Sequence, residues 1–408
     1  MFAVVRKPFF VEAAPIKGFS GKSTVETEEN FMQLDYAIHN SEMGWAGSGD
    51  VVTRLLQTNF DPRCCRPYIW NGRSYVSVQR GCDKAGKPVL YNVPTMNAAT
   101  LRKEDWVMID EAVVTASRPR LRFFNELREL GLNVNLPNAL GKTVWQYERQ
   151  SKLSGAVVSM DGVRKGNSNR PMYDMDQMPL PLIHEDFVFS ARQISVSRQS
   201  GSPIDTTTAG EAAMAVAEEV EKLALGVSPI YSFGNGKVYG LLNYPHRLTK
   251  VFTNPWRTDR SRNPDWTPGL LQKEILDARE ALSDRQKYGP FNLYVSPDFD
   301  AILDDDYNMG TAGVQSSITL RERLMKIHAI ANIHTCEYLP KGNLAMVQMS
   351  MDTIQAVTGM DITTVQWQTE GGFEVHFKVL CMLLPRLKCD YYGLSGILHG
   401  VFTPALAP

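Results

Sequence analysis

Residues 179–226 read Pro179-Leu-Pro-Leu-Ile-His-Glu-Asp-Phe-Val-Phe-Ser-Ala-Arg192, then a polar turn around Gly201, then Thr206-Thr-Thr-Ala-Gly-Glu-Ala-Ala-Met-Ala-Val-Ala-Glu-Glu-Val-Glu-Lys-Leu-Ala-Leu-Gly226. The second half predicts one long helix. Ala209, Ala212, Ala213, Val216, Val220, Leu223 and Ala224 recur at i, i+3, i+4 and i+7, the stripe of an amphipathic helix. Thr208 and Glu211 have the spacing of a capping box, Asp205 sits where a negative charge favours the helix start, and Gly226 supplies a stop. Glu218, Glu219, Glu221 and Lys222 fill the other faces. Such a helix is roughly 27 Å long, a strut whose small side chains let neighbours approach closely. It carries no catalytic group.

Working outward, the first hundred residues read as an arm. Prolines at 8, 15, 62, 67, 88 and 94 and glycines at 18, 21, 44, 47, 49 and 72 interrupt them. Short helices are expected at Glu28–His39 and Asp50–Leu56, and strands at Tyr68–Trp70 and Tyr75–Val78 around an Asn71-Gly72 turn. The aromatic content of this segment needs a surface to bury against, on this chain or on a neighbour. Lys103–Gly131 is helical, with one stripe of Trp106, Ile109, Val113 and Ala116 before Pro119 and another of Leu121, Phe124, Leu127 and Leu130 after it. Thr143–Gln150 and Ala156–Ser159 have strand propensity, and the Gly-, Asn- and Asp-rich run from Met160 to Met178 makes this part a long exposed β-hairpin.

Beyond the strut, Gly234-Asn235-Gly236 is a turn, Tyr244–Pro268 a loop, Pro268–Ser283 a helix with Leu270, Leu271, Ile275 and Leu282 inward, Phe291–Val295 a buried strand and Leu320–Ile330 a helix. Val365, Trp367 and Thr369 alternate up to Glu370-Gly371-Gly372, and Phe373, Val375, Phe377 and Val379 alternate away from it, a late hairpin whose apolar residues are ordinary core. The class is α+β, with helices and hairpins segregated along the chain.

Composition limits the function. A chain of 408 residues, 43% hydrophobic, can bury a large core in two or three lobes, and a net charge of −1 lacks the basic excess of a protein that grips nucleic acid. The apolar run Val379–Pro385 is too short to span a bilayer, and Arg6, Lys7 and Pro8 interrupt any signal-peptide core. Six cysteines (64, 65, 82, 336, 381, 389) form no CxxC pair and read as reduced thiols.

Candidate chemical motifs fail one by one. Gly21-Lys22-Ser23 and Gly141-Lys142-Thr143 have Ile16 and Leu136 where a phosphate loop needs its first glycine. Asp304, Asp306 and Asn308 resemble a calcium loop, but Met309 and Gln315 replace the required glycine and glutamate. His184-Glu185-Asp186 on a strand alternates faces, and His328 and His334 lack a third ligand. No catalytic, cofactor-binding or metal residue is therefore assigned, and an enzyme is not expected.

The order of parts resembles the Hong Kong 97-type capsid fold of tailed-bacteriophage major capsid proteins and encapsulin shell proteins. The resemblance rests on Met178–Phe187, Ser197–Asp205, Glu218–Gly226 and Ala356-Val-Thr-Gly359-Met-Asp361-Ile362, within a pattern running from about Leu101 to Gly400. It implies an N-terminal arm at 1–100, a helical segment of a peripheral domain at 101–140 and an E-loop at 141–182. The peripheral domain and its spine helix follow at 183–227, an axial domain at 228–360, a peripheral β-hairpin at 361–390 and a C-terminal axial segment at 391–408. The enlarged first segment leans toward a viral capsid. The function so implied is a major capsid protein forming an icosahedral shell around double-stranded DNA, assembled in a bacterial cytoplasm and carried in the virion. Its partners would be copies of itself in pentamers and hexamers, with room for a cement or minor capsid protein and a portal, and no membrane. An encapsulin-type compartment around a protein cargo is the alternative.

Overall fold

The computed structural model describes residues 66–82, 88–94, 101–137, 139–151, 158, 160–161, 170–200, 206–252, 268–304, 318–368 and 373–402. The helices expected at 28–39 and 50–56, the Gly21-Lys22-Ser23 motif, the turn around Gly201, most of Ala156–Ser159, the run from Asp306 to Gln315 and the Glu370-Gly371-Gly372 turn lie outside them.

The chain enters through β1 (Tyr68–Trp70), which turns at Asn71-Gly72 into β2 (Arg73–Cys82), followed by β3 (Pro88–Pro94) and β4 (Leu101–Arg102) in one four-stranded sheet. Asn71 and Gly72 have φ of 47° and 74°, the left-handed pair that a tight two-residue turn requires. This part is fastened to its own subunit. Arg66 donates from both terminal nitrogens to Asp110 at 2.7 Å and from Nε to the Thr364 carbonyl at 2.7 Å, while Trp106 Nε1 donates to the Pro67 carbonyl at 3.1 Å. Tyr68 joins the main core.

Helices α1 (Lys103–Ser117) and α2 (Arg122–Glu129) are separated by the Pro119 break. Trp106, Ile109 and Val113 are buried on α1, and Phe123, Phe124 and Leu127 on α2. Leu130, expected inward, is 49% exposed because α2 ends at Glu129, one residue before it. After β5 (Asn133–Asn135), strands β6 (Val144–Gln150) and β7 (Tyr173–Pro179) pair antiparallel from Val144 opposite Pro179 to Gln150 opposite Tyr173. Then β8 (Ile183–Ser190) leads into α3 (Ala191–Ser200), a helix the sequence reading took for part of a polar turn. Its signal is Ser190-x-x-Gln193: the Ser190 hydroxyl accepts from the Gln193 N–H at 3.2 Å, and the Gln193 side chain accepts from the Ser190 N–H at 3.0 Å.

The strut is α4 (Thr207–Leu225). All seven stripe residues are buried, yet the helix begins before Thr208, so the Thr208–Glu211 capping box does not form. Gly210, Ala217, Glu221 and Leu225 are buried as well, because α1, β8 and the late hairpin close round more than one face. Glu221 thus belongs inside, not among the solvated charges. Gly226, at φ +83°, ends the helix with its N–H directed at the Lys222 and Leu223 carbonyls. A Cβ on Gly240 would lie 2.2 Å from the Gly226 nitrogen, so the two backbones meet directly.

The rest of the chain adds β9 (Tyr231–Phe233), β10 (Gly236–Val238), β11 (Leu248–Phe252), α5 (Pro268–Ser283), β12 (Phe291–Val295), α6 (Asp300–Leu303), α7 (Leu320–Met325), β13 (Ile330–Thr335), β14 (Asn343–Gln348), β15 (Ile354–Gln368), β16 (Glu374–Leu387) and β17 (Ile397–Phe402). A five-stranded sheet runs β11-β17-β14-β12-β13 and carries a core of its own with α5 and α7. A four-stranded sheet runs β5-β15-β16-β8 under α1 and α4. Strand β11 falls inside the stretch expected to be a loop, and β13, β14 and β17 were not anticipated. The helix expected over 320–330 stops at Met325. Leu320, Leu324, Ile327 and Ile330 are all buried, so their helical spacing continues through a turn and the start of a strand. The late hairpin pairs Gln368 with Val375, and Val375 and Phe377 are core; Phe373, expected there too, is 80% exposed beyond the last pair.

Candidate assembly surfaces

Hairpin β6–β7 is a sheet of two strands with no further neighbour among the described residues, so the outer edges of both are unpaired. Burial falls along β7 from Met178 and Pro179, which are buried, to Tyr173, Asp174 and Met175, which are exposed. Met172, Tyr173 and Met175 are 58%, 61% and 63% exposed. An isolated two-stranded hairpin is marginal in water, and here the root rather than the tip is held. The Arg386 guanidinium lies 4.4 Å from the Trp145 ring and 3.7 Å from the Tyr147 ring. The Leu180 N–H donates to the Thr143 carbonyl at 2.9 Å, and the Gln177 amide donates to the Gly234 carbonyl of the β9–β10 turn. Gly236 fits there because it lacks a Cβ, which would come 2.9 Å from the Gln177 carbonyl oxygen.

Further apolar side chains are exposed elsewhere. Ile230, Tyr231 and Phe233 are exposed on and beside β9, and Val188, Val196 and Phe373 at the far end of the β8–β16 pair. Scattered exposed hydrophobics are ordinary, whereas Met172, Tyr173 and Met175 gathered on an edge-open hairpin make a candidate contact surface.

Where α2 meets α4 and β12, buried polar groups are only partly satisfied. Glu126 on α2 accepts from Tyr294 at 2.5 Å and from the Asn292 amide, and lies 2.8 Å from His334 Nε2. Burial, and then the Glu126 charge, push the Tyr294 hydroxyl well above its ordinary range. Glu221 Oε1 accepts from the Phe123 N–H at 2.8 Å, Oε2 has no hydrogen-bond partner, and burial pushes the carboxyl up to about 8.

The remaining motif residues do not converge. Gly141 closes a short 3₁₀ turn and Leu136 is buried. His184 Nδ1 lies 3.4 Å from Asp186 Oδ1, both exposed, with Lys378 3.4 Å from the same carboxylate. Asp304 pairs with Arg321 at 2.7 Å. Cys336 and Cys381 are buried free thiols and Cys389 is half-buried. Among the described residues no group of three or more His, Cys, Asp or Glu side chains is placed to hold a metal ion, and no helix is long and apolar enough to cross a membrane. Sequence reasoning missed Glu126 and Arg386, which carry no motif and are defined only by what packs against them.

The chain belongs to the family described as "Family of unknown function (DUF6260)", the match running over residues 97–400. It is 24% identical over 295 residues to the type 1 encapsulin shell protein EncA of Myxococcus xanthus (strain DK1622), which covers 71% of this chain and 90% of that one. Among solved structures it is similar to the virus-like particle from Pyrococcus furiosus, with 16% identity, a TM-score of 0.48 and coverage of 73% of this chain and 98% of that one. It is also similar to the capsid of Myoviridae phage XM1, with 12% identity, a TM-score of 0.47 and coverage of 64% and 86%. An encapsulin shell protein is one of the two branches that the sequence resemblance names.

Proposed function

We propose that this protein is the subunit of a closed protein shell, and more narrowly a major capsid protein whose icosahedral shell encloses double-stranded DNA. The observation that carries the reading is the β6–β7 hairpin, anchored at its root by Arg386 and the β9–β10 turn while Met172, Tyr173 and Met175 stand exposed on unpaired strands. Such a surface is stabilised by burial on another copy, and repeated contacts of this kind make a thin shell cooperative. The EncA relative, a shell protein matched over most of its length, supports the same class. In this reading 1–100 is the N-terminal arm, 141–182 the E-loop, 183–227 with 361–390 the peripheral domain, and 228–360 with 391–408 the axial domain.

A net charge of −1 suits a container that confines DNA without binding it tightly. The same EncA relative favours the second reading, a compartment around a protein cargo. Particles purified from cells expressing the chain with its natural neighbours separate the two: nuclease-protected double-stranded DNA is expected inside. Particles holding one protein species and no DNA would establish the second reading instead.

A further inference from the structure

A cleft of about 380 Å³ lies at the root of β6–β7, between that hairpin, β10, the turn at Tyr244–His246 and the end of β16. Its wall carries Arg149, Lys237 and Arg386, one from each of three elements, against a single carboxylate, Asp176. That carboxylate is already engaged inside the hairpin, accepting from the Tyr147 hydroxyl at 3.1 Å and from the Gln177 N–H at 2.8 Å. Arg149 is neutralised by Asp174 at 2.5 Å. The other two cations form no ion pair among the described residues. Arg386 donates to the neutral Gln355 amide oxygen at 3.1 Å, lies over the Trp145 and Tyr147 rings and is favoured by the nearby Asp176 charge. Its burial lowers its pKa, the mark of a charge whose lost hydration is not fully returned. Lys237 stands exposed with no ion pair among the described residues.

We propose that this cleft binds a phosphate-type oxyanion, free in solution or on a phosphodiester backbone, which ties the hairpin root to the body of the subunit. Guanidinium and ammonium donors converging from separate elements suit a tetrahedral anion with oxygens in several directions. Three cations, Arg149, Lys237 and Arg386, stand against two carboxylates, Asp174 and Asp176, so the anion meets a surplus of one positive charge. The site lies within one subunit and does not depend on the shell reading.

Calorimetric titration of the full-length protein with inorganic phosphate, at constant ionic strength in chloride, is expected to show saturable binding. Lys237→Gln and Arg386→Gln should each weaken it about tenfold, since each removes one charged hydrogen bond, while Lys341→Gln should leave it unchanged. Lys237 is exposed, so its variant tests the site even if Arg386→Gln folds poorly. A short duplex oligonucleotide is the second probe. Saturation by the duplex alone, weakened by Lys237→Gln, would assign the oxyanion to a phosphodiester. No saturable binding of either probe, or binding equal in the wild-type and Lys237→Gln proteins, would overturn the proposal.

Discussion

Glu221 shows how far a single residue departs from its place in a pattern. In sequence it stands in a run of charges on the helix, and only the α2 backbone arriving at Phe123 explains its burial. Its carboxyl is pushed up to about 8, above the ordinary value of 4.5. The folded state therefore holds a proton that the unfolded chain releases as pH rises. The resulting stability is fully present below about pH 4.5 and is lost progressively toward pH 8. Glu221→Gln keeps the acceptor for the Phe123 N–H and removes the titration. It should unfold at the same denaturant concentration as wild type at pH 4 and be more stable, by on the order of 2–4 kcal/mol, at pH 8. A variant equally or less stable at pH 8 would show that the carboxyl is ionised at no cost in the fold. Phe373 gives the converse lesson: its alternation with Val375 and Phe377 is perfect, but it lies two residues past Val375, the last residue paired across the hairpin, and exposure is decided there.

At the scale of elements, the sequence was most legible where one periodicity coincided with one kind of burial. The α4 stripe, the Asn71-Gly72 turn, the Pro119 break and the β15–β16 strands follow from spacing and turn chemistry alone. Strands β11, β13, β14 and β17 did not, because their sequences carry no strict apolar–polar alternation, whereas β12, buried throughout, was legible from its short apolar run. The hairpin arm was legible as a hairpin, while its clamp by Arg386 was not, since the contact joins residues more than two hundred positions apart. Two pairs of variants test these elements. Val216→Asp places an unpaired carboxylate in the core and should cost at least about 3 kcal/mol, giving insoluble or unfolded protein, whereas Glu219→Gln on the exposed face should change stability by less than about 0.5 kcal/mol. Equal solubility of the two would reverse the inward face. On the arm, Tyr173→Ser with Met175→Ser should leave the subunit's far-ultraviolet circular dichroism and unfolding midpoint near wild type, because both side chains are exposed. Assembled particles of the same variant should dissociate at lower temperature or denaturant. Loss of subunit stability instead would make the arm tip part of its own subunit's fold.

On the scale of the whole molecule, the described residues pack three buried clusters, the largest under α1 and α4, the second between the five-stranded sheet and α5 and α7, and the third at the root of the β6–β7 hairpin. The α+β class and the order of its parts could be read in advance. The segment from Arg66 could not be placed, because its aromatics fit equally a neighbour's surface or this chain's own; Arg66 on Asp110 and Tyr68 in the core decide for the latter. Shell formation is the central functional claim, and sedimentation velocity of the chain expressed alone, followed by electron microscopy of the fast fraction, tests it most directly. Closed particles of uniform diameter, sedimenting far ahead of any dimer, are the expected result; a stable monomer or dimer across a wide range of salt, pH and protein concentration would contradict it.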